Sequence, residues 1–521
     1  LQTPTDLFGA AEEVAGQDRN NATRTLRNAA GAVYGGRCLK FCRPAFLALC
    51  ASAAFLFNGC ASVQPEPLPA PFQLPAQFTA ATGQDYAPED FWWQTFGDAQ
   101  LNEFVETALE KNPALAQSLA RARMAEAQAR LNRADQLPQV GLGVGTTRQR
   151  QNLADPMGQE VAVISTNHNA ALDISWEVDL WGRLAALSAS ARADYLASLE
   201  QLRALRQSVA AQASELYFEI VHSNAQVELS HRTVEALEEM ARQINNRVAI
   251  GIASPTDGML ADANLESARG GLEQRLEVLE RGVRQLQILA GDYPSGALQS
   301  AAELPAVPAA PAAGIPADLL ARRPDVRAAE LSLQSAGYQL DAAERSFLPA
   351  LSLTGSAGFS AATFSELFSS GNFIWSIAGR TLQPVFQGGR LVAQVDVADG
   401  QRAEALGAYA EIALGALAEV ESALAVDALM ARRERALDAS ARAAEEAVNV
   451  SFNRYLQGID PFLNVLESQQ RALDGRSAQI SARHARIENR IALHLALGGG
   501  FEASPHSVGA VYFPSISPIT P

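Results

Sequence analysis

From Ala171 to Asp179 the chain alternates. Leu172, Ile174, Trp176 and Val178 are apolar, while Asp173, Ser175, Glu177 and Asp179 are polar. A period of two belongs to a strand with one apolar and one polar face. The pattern changes at Trp181-Gly182-Arg183. Beyond it no proline occurs until Pro255, and Leu199, Leu202, Leu205, Val209, Leu216 and Ile220 recur at helical spacing. The reading is a strand that runs straight into a helix of roughly 68 residues, about 100 Å at 1.5 Å per residue. Helices of ordinary globular domains average about three turns, so this one belongs to something elongated.

The same event recurs. Phe373–Val385 reads as a strand, Gln387-Gly388-Gly389-Arg390 stands where Trp181-Gly182-Arg183 stood, and a second proline-free stretch runs to Asp460. Asn112-Pro113 pairs with Arg323-Pro324, Leu137-Pro138 with Leu348-Pro349, and Gly251-Ile252 with Gly458-Ile459. The offsets are all about 207 to 211 residues, the mark of an internal duplication. Repeat 1 spans residues 100–290. It reads as a helix from Gln100 to Gln136, a hairpin at about 139–180 turning around Asn152–Gln159, the long helix to Ile250, a tight turn over Gly251–Asp257, and a returning helix to Ala290. A Pro-, Ala- and Gly-rich crossover, 291–317, leads to repeat 2, residues 318–497. This has a helix to Ser346, a hairpin at about 350–386, a long helix to Tyr455, a turn, and a helix to Leu497. A tail, 498–521, follows. In each repeat the two short helices together match the long one, about 71 residues or near 100 Å in the first. Stacked end to end beside the long helix, they would build a tube wall of uniform length.

Each repeat supplies two strands, so one chain supplies four. In lipid a sheet must close, because an unpaired edge costs several kcal/mol per polar group. Four strands cannot close, since the smallest membrane barrels need about eight. Chains must therefore pool strands. Val140-Gly141-Leu142-Gly143-Val144-Gly145 alternates glycine with apolar residues, as suits lipid outside and a lumen inside. Trp176, Trp181, Phe373 and Trp375 suit an interfacial aromatic girdle.

Composition narrows the picture. The 521 residues are 48% hydrophobic and 19% charged, with a net charge of −16 and a pI near 5.0. An acidic chain without a basic stripe is a poor nucleic-acid binder. Cys38, Cys42, Cys50 and Cys60 are the four cysteines, all near the N-terminus. Residues 1–36 read as an upstream or mis-assigned segment. Arg37, Lys40 and Arg43 precede the apolar run Ala45–Phe57, which is too short to span a bilayer but suits a signal-peptide core over 37–59. Residues 60–99 begin with a proline-rich tether. Sequence offers no HExxH, GxSxG, Walker A or CxxC pattern, so neither enzyme, cofactor nor metal site is expected. The six histidines, at 168, 222, 231, 484, 494 and 506, are scattered and read as surface or packing residues.

Several motifs carry a resemblance. Trp92-Trp93, Phe96, Asp98, Leu101, Ala108-Leu109, Asn112-Pro113 and Leu137-Pro138 resemble the opening of the TolC/OprM type of outer-membrane efflux proteins, in the NodT-like lipoprotein branch. Leu319-Leu320-Ala321-Arg322-Arg323-Pro324-Asp325-Val326 resembles a second hallmark. Phe57-Asn58-Gly59-Cys60 resembles a lipobox, with Phe57 where leucine is usual. It implies acylation at Cys60, and Ala61 after it implies sorting to the outer membrane. The resemblance covers roughly residues 60–497. It implies a mainly α fold with a transmembrane β part, built as a homotrimer with a shared twelve-stranded barrel and a long periplasmic α-helical barrel. It implies a passive exit duct in outer-membrane lipid, working with a periplasmic adaptor and an inner-membrane RND-type transporter. Type I protein secretion is an alternative cargo route. A lipid-anchored coiled-coil spacer is an alternative of another class, but a spacer needs no alternating hairpins.

The turns far from the strands are the informative sites. Ser254-Pro255-Thr256-Asp257 reads as a helix start with Ser254 as N-cap and proline at N1, and Asp460-Pro461 reads likewise. The resemblance adds a periplasmic gate. Asp257 and Glu467 fall on acid positions of its entrance, and Asn464 falls on another without charge. Tyr455 and Arg454 match positions that hold the tip closed, though Arg454 reads equally well as a solvated helix charge. Gly251, Ile252, Gly458 and Ile459 match the region that meets the adaptor. Trp181, Gly182 and Arg183, with Gly388, Gly389 and Arg390, mark the barrel-to-helix junctions.

Overall fold

The computed structural model describes residues 74–75, 77–79, 91–154, 160–298, 300, 301 and 303–499. A 3-10 turn, Trp92–Phe96, leads into α1 (Ala99–Lys111) and α2 (Pro113–Ala134). Strands β1 (Gln139–Ala154) and β2 (Glu160–Val178) follow, then α3 (Arg183–Ala249) and α4 (Pro255–Leu289). The second repeat runs α5 (Pro316–Arg322), α6 (Pro324–Arg345), β3 (Ala350–Ala361), β4 (Phe373–Leu382), α7 (Arg390–Leu456) and α8 (Phe462–Ala496). Counterparts match in length: α3 and α7 have 67 residues each, α4 and α8 have 35, and α2 and α6 have 22. The long helices are about 100 Å each.

The helix expected over Gln100–Gln136 is interrupted. Pro113 lacks an N–H and pushes Asn112 out of the helical region, to φ −59° and ψ 124°. Asn112 then serves two helices. Its Oδ1 accepts from the backbone N–H groups of Ala114 and Leu115 at 2.8 and 3.3 Å, capping α2. Its Nδ2 donates to Leu289 O at 2.7 Å, at the C-terminus of α4. α4 and α2 are thereby stapled end to end. Gly291, at φ +79°, lies so close to Lys111 O that a Cβ there would sit at 2.6 Å, so only glycine lets the two helix ends meet.

Repeat 2 makes the same staple with other chemistry. Arg323 Nη1 donates to Ala496 O at 3.0 Å, and Arg322 Nε donates to Leu497 O at 3.1 Å, at the end of α8. Buried Arg323 also pairs with Asp325 and Glu419, both at 2.6 Å. Burial alone would raise Asp325, but the hydrogen bonds and charge of Arg323 outweigh it and hold the carboxyl below its usual range.

The largest apolar cluster anchors the segment from Trp92 to Leu119 on the middle of α3. Trp92, Trp93, Phe96 and Leu101 pack with Tyr217, Phe218 and Ile491. Trp92 stacks on His494 with centroids 5.2 Å apart, and Tyr217 Oη donates to Asp98 Oδ2 at 2.6 Å. Each such buried side chain contributes roughly 1.5–3 kcal/mol.

The four strands form one antiparallel sheet in the order β1-β2-β3-β4. Register sorts its faces. Leu142 pairs with Leu172, which pairs with Ala357, which pairs with Trp375. Val140, Ile174, Gly355 and Ile377 form the next such row. On the opposite face Gly141, Asp173, Ser356 and Ser376 form a row, and Glu177, Ser352 and Arg380 another. One face is therefore apolar and the other small or polar. Leu142, Val144, Trp375 and Ile377 of the apolar face are each more than two-thirds exposed in the single chain. The last strand stops at Leu382 rather than Val385, because Pro384 cannot donate to a ladder and Gln383 Nε2 turns to Phe347 O at 2.9 Å. Trp176 lies near the helix end of β2, and Phe373 and Trp375 at the loop end of the shorter β3-β4 hairpin, level with Ala170 and Leu172 of β2.

Candidate functional site

Both helical tips end by one device. Gly251 and Gly458 have φ of +76° and +73°. Gly251 N–H donates to Val248 O and Ile252 N–H to Arg247 O, at 3.0 and 2.9 Å. In the second tip Gly458 donates to Tyr455 O and Ile459 to Arg454 O, both at 2.9 Å. This is the paired closure of a helix end that a left-handed glycine permits. Ile252 and Ile459 are left exposed at the two tips. Ser254 Oγ accepts from Thr256 N–H at 3.2 Å and caps α4. Asp460 departs from the expected cap. Pro461 occupies the N-cap position of α8, with no side-chain cap. Asp460 instead folds back to accept from Arg454 Nε at 2.6 Å and Nη2 at 3.2 Å. Hydrogen bonding to Arg454 lowers the Asp460 carboxyl, and Arg454 is both paired and half exposed to solvent.

The two tips are tied to each other. Tyr455 Oη, from α7, donates to Asp257 Oδ2, in the first turn of α4, at 3.1 Å. Arg247 Nη2, at the end of α3, donates to Leu456 O at 3.2 Å, and its guanidinium lies 6.0 Å from the Tyr455 ring centroid. Burial, and next the hydrogen bond to Asp257, push the Tyr455 hydroxyl up to about 12. Beneath it pack Met240, Ile244, Ala261, Phe462 and Val465. Asn464 and Glu467 lie on the exposed side of α8. Glu467 faces Arg471 at 3.5 Å, and Asn464 O accepts from Ser468 Oγ at 2.7 Å. The expected gate residues thus divide into three groups: Tyr455 with Asp257, Arg454 with Asp460, and Asn464 and Glu467 at the surface.

Arg247 was not among the expected residues, although a signal existed. It is the repeat counterpart of Arg454, one turn before the same glycine. Asp257 and Asn464 are likewise counterparts, each the third residue of its helix. Comparing the two tips residue by residue exposes the asymmetry that builds the tie.

At the strand-to-helix junctions Gly182 and Gly389 occupy the N-cap positions with φ of +78° and +85°, and Gly388 has φ +58°. Arg345 Nη1 donates to Gly182 O at 2.7 Å. Trp181 Nε1 donates to Pro349 O at 2.8 Å, and Arg183 pairs with Glu177 at 2.6 Å. The second junction is lighter: Arg390 donates from Nε and Nη2 to Gln387 Oε1 at 3.0 and 2.7 Å. Cys60 and the segments 1–36 and 37–59 lie outside the described residues.

The family model described as "Outer membrane efflux protein" matches residues 104–292 and 315–499, one stretch per repeat. The chain belongs to the outer membrane efflux protein family. Outer membrane protein OprJ of Pseudomonas aeruginosa is 33% identical over 427 residues, covering 81% of this chain and 89% of its own length. Toluene efflux pump outer membrane protein TtgC of Pseudomonas putida is 29% identical over 459 residues, covering 87% of this chain and 95% of its own. Among solved structures, the outer-membrane channel OprN has a TM-score of 0.78 at 27% identity, covering 84% of this chain and 99% of that one.

The chain is an outer-membrane efflux channel protein with the TolC-like fold. In an outer membrane efflux protein the two-faced sheet and the paired 67-residue helices have one joint purpose. The sheet meets lipid with its apolar face, and the helices carry the passage on the periplasmic side. Neither the sheet nor the tips needs reaction chemistry to do this.

Proposed function

We propose that three copies of this chain close one twelve-stranded barrel and one helical barrel. Together they form a passive exit duct for an inner-membrane RND-type transporter and its periplasmic adaptor. The observation that carries this reading is the sheet: among the described residues its edges, β1 and β4, have no partner strand, which leaves them to pair with other chains. Acylation at Cys60 would add a lipid anchor. The exposed turns at Gly251-Ile252 and Gly458-Ile459 are the surfaces offered to the adaptor. The duct performs no catalysis.

The tip is the closed end. Tyr455, Asp257 and Arg247 hold the two helical hairpins of a chain together, and Arg454 with Asp460 stiffens the second turn. Glu467, repeated three times about the axis, makes the entrance cation-preferring. Close like charges interact at a few kcal/mol at an effective dielectric near 20. Glu467→Ala is therefore expected to weaken cation preference and block by multivalent cations in single-channel recordings. Asn464→Asp is expected to strengthen both. If neither substitution alters selectivity or block, these residues do not line the entrance.

A further inference from the structure

Two of the scattered histidines meet. His222, on α3, and His484, on α8, stack with ring centroids 4.7 Å apart and an interplanar angle of 15°. Glu219, one turn before His222, faces both. Its Oε2 lies 3.7 Å from His222 Nδ1 and 3.6 Å from His484 Nε2. Each of the three offers one ligand atom, and all three atoms lie within 4.8 Å of one another. The two nitrogens turned toward this carboxylate are the ones without a hydrogen-bond partner, although both are buried. His484 as a whole is 6% exposed. A buried, unpartnered ring nitrogen is costly, and here two of them converge on one carboxylate oxygen.

We propose that Glu219, His222 and His484 bind one divalent transition-metal ion of the zinc class, joining α3 of the first repeat to α8 of the second. Zinc takes imidazole nitrogen and carboxylate oxygen at about 2.0–2.2 Å, so tetrahedral ligand atoms stand roughly 3.4 Å apart. The separations from Glu219 exceed that by only a few tenths of an ångström, and the stacked rings, now 15° apart, turn on binding so that both in-plane lone pairs meet one ion. One far nitrogen, that of His222, already has the kind of partner an ordered metal site uses. His222 Nε2 lies 3.3 Å from Ser481 Oγ. His484 Nδ1 faces Glu488 Oε1 at 3.9 Å. The Glu219 side chain is 44% exposed, leaving a solvent-side approach and a fourth position for water. Mixed nitrogen and oxygen donors suit zinc, not magnesium.

The test is calorimetric titration of tag-free, metal-stripped, full-length protein in detergent with Zn²⁺, and separately with Mg²⁺. One Zn²⁺ per chain is expected, with no Mg²⁺ binding and a Tm that rises with Zn²⁺. Glu219→Gln and His222→Gln preserve size and are each expected to weaken Zn²⁺ binding more than about tenfold. His231→Gln, an exposed histidine on the same helix, is expected to leave it unchanged. Anomalous scattering at the zinc edge from a Zn²⁺-soaked crystal should place the ion between the three named atoms. Zn²⁺ affinity unaltered by both glutamine variants, or an anomalous peak elsewhere only, overturns the assignment.

Discussion

α3 and α7 have the same length and the same place in their repeats, yet they are buried very differently. α3 buries residues along almost its whole length, from Leu184 to Ile244, including Tyr217, Phe218, Ile220 and Val221. α7 buries far fewer: Ala398, a short run from Ala413 to Ala423, Ala441, and Ser451 and Tyr455 at the tip. Val392, Val397, Leu414, Leu429 and Val450 of α7 are exposed apolar side chains. α3 is held by α1, α2, α4, α6 and α8. α7 packs mainly on α8 and α6. Its contact with α8 is strongly ionic: Glu434 lies between Arg483 and Arg486 at 2.9 and 3.0 Å, and Arg490 pairs with Asp427 at 2.8 Å. A duplicated element that keeps its length but loses its cover is what the proposed assembly of several chains would cover. The exposed sheet edges point the same way.

Charges introduced on each helix should separate the two most strongly. Val221→Glu buries an unpaired carboxylate in the α3 core and is expected to cost several kcal/mol and prevent folding. Leu414→Glu with Leu429→Glu on α7 is expected to leave the chain folded, with normal helical circular dichroism, while abolishing its assembly. If the α7 variant assembles normally, that face is not an interface.

A smaller effect is expected at the stapled helix ends. Asn112→Ala removes a cap and the tie to Leu289 and is expected to cost about 1–2 kcal/mol, read as a lowered Tm. The smallest stability effect belongs to the tip. Tyr455→Phe removes one hydrogen bond to Asp257, worth about 0.5–1.5 kcal/mol. Its larger expression is expected in single-channel conductance, which should rise as the two hairpins separate. Unchanged conductance in that variant would remove Tyr455 from the closing device.

Much of this was legible in the chain. Alternation from Leu172 to Asp179 specified a two-faced strand, and the absence of proline from Arg183 to Ser254 specified the length of α3. The repeat followed because dipeptides such as Gly251-Ile252 and Gly458-Ile459 mark helix ends with a fixed backbone need. What escaped was contact between distant positions. Asn112-Pro113 is visible as a dipeptide, but its break in the helix matters because Leu289 O arrives there. Asp460 before proline has the form of a cap, and only the fold shows that Arg454 claims its carboxylate. The meeting of His222 with His484, and of Arg247 with Leu456, depends on how repeat 2 lies against repeat 1. No local pattern encodes that.

In the proposed assembly one chain is a third of a duct. Native mass spectrometry of the full-length protein in detergent tests this most directly. A trimer is expected as the dominant species, with its loss in the Leu414→Glu, Leu429→Glu variant. A folded monomer as the sole species of the unaltered protein would contradict it.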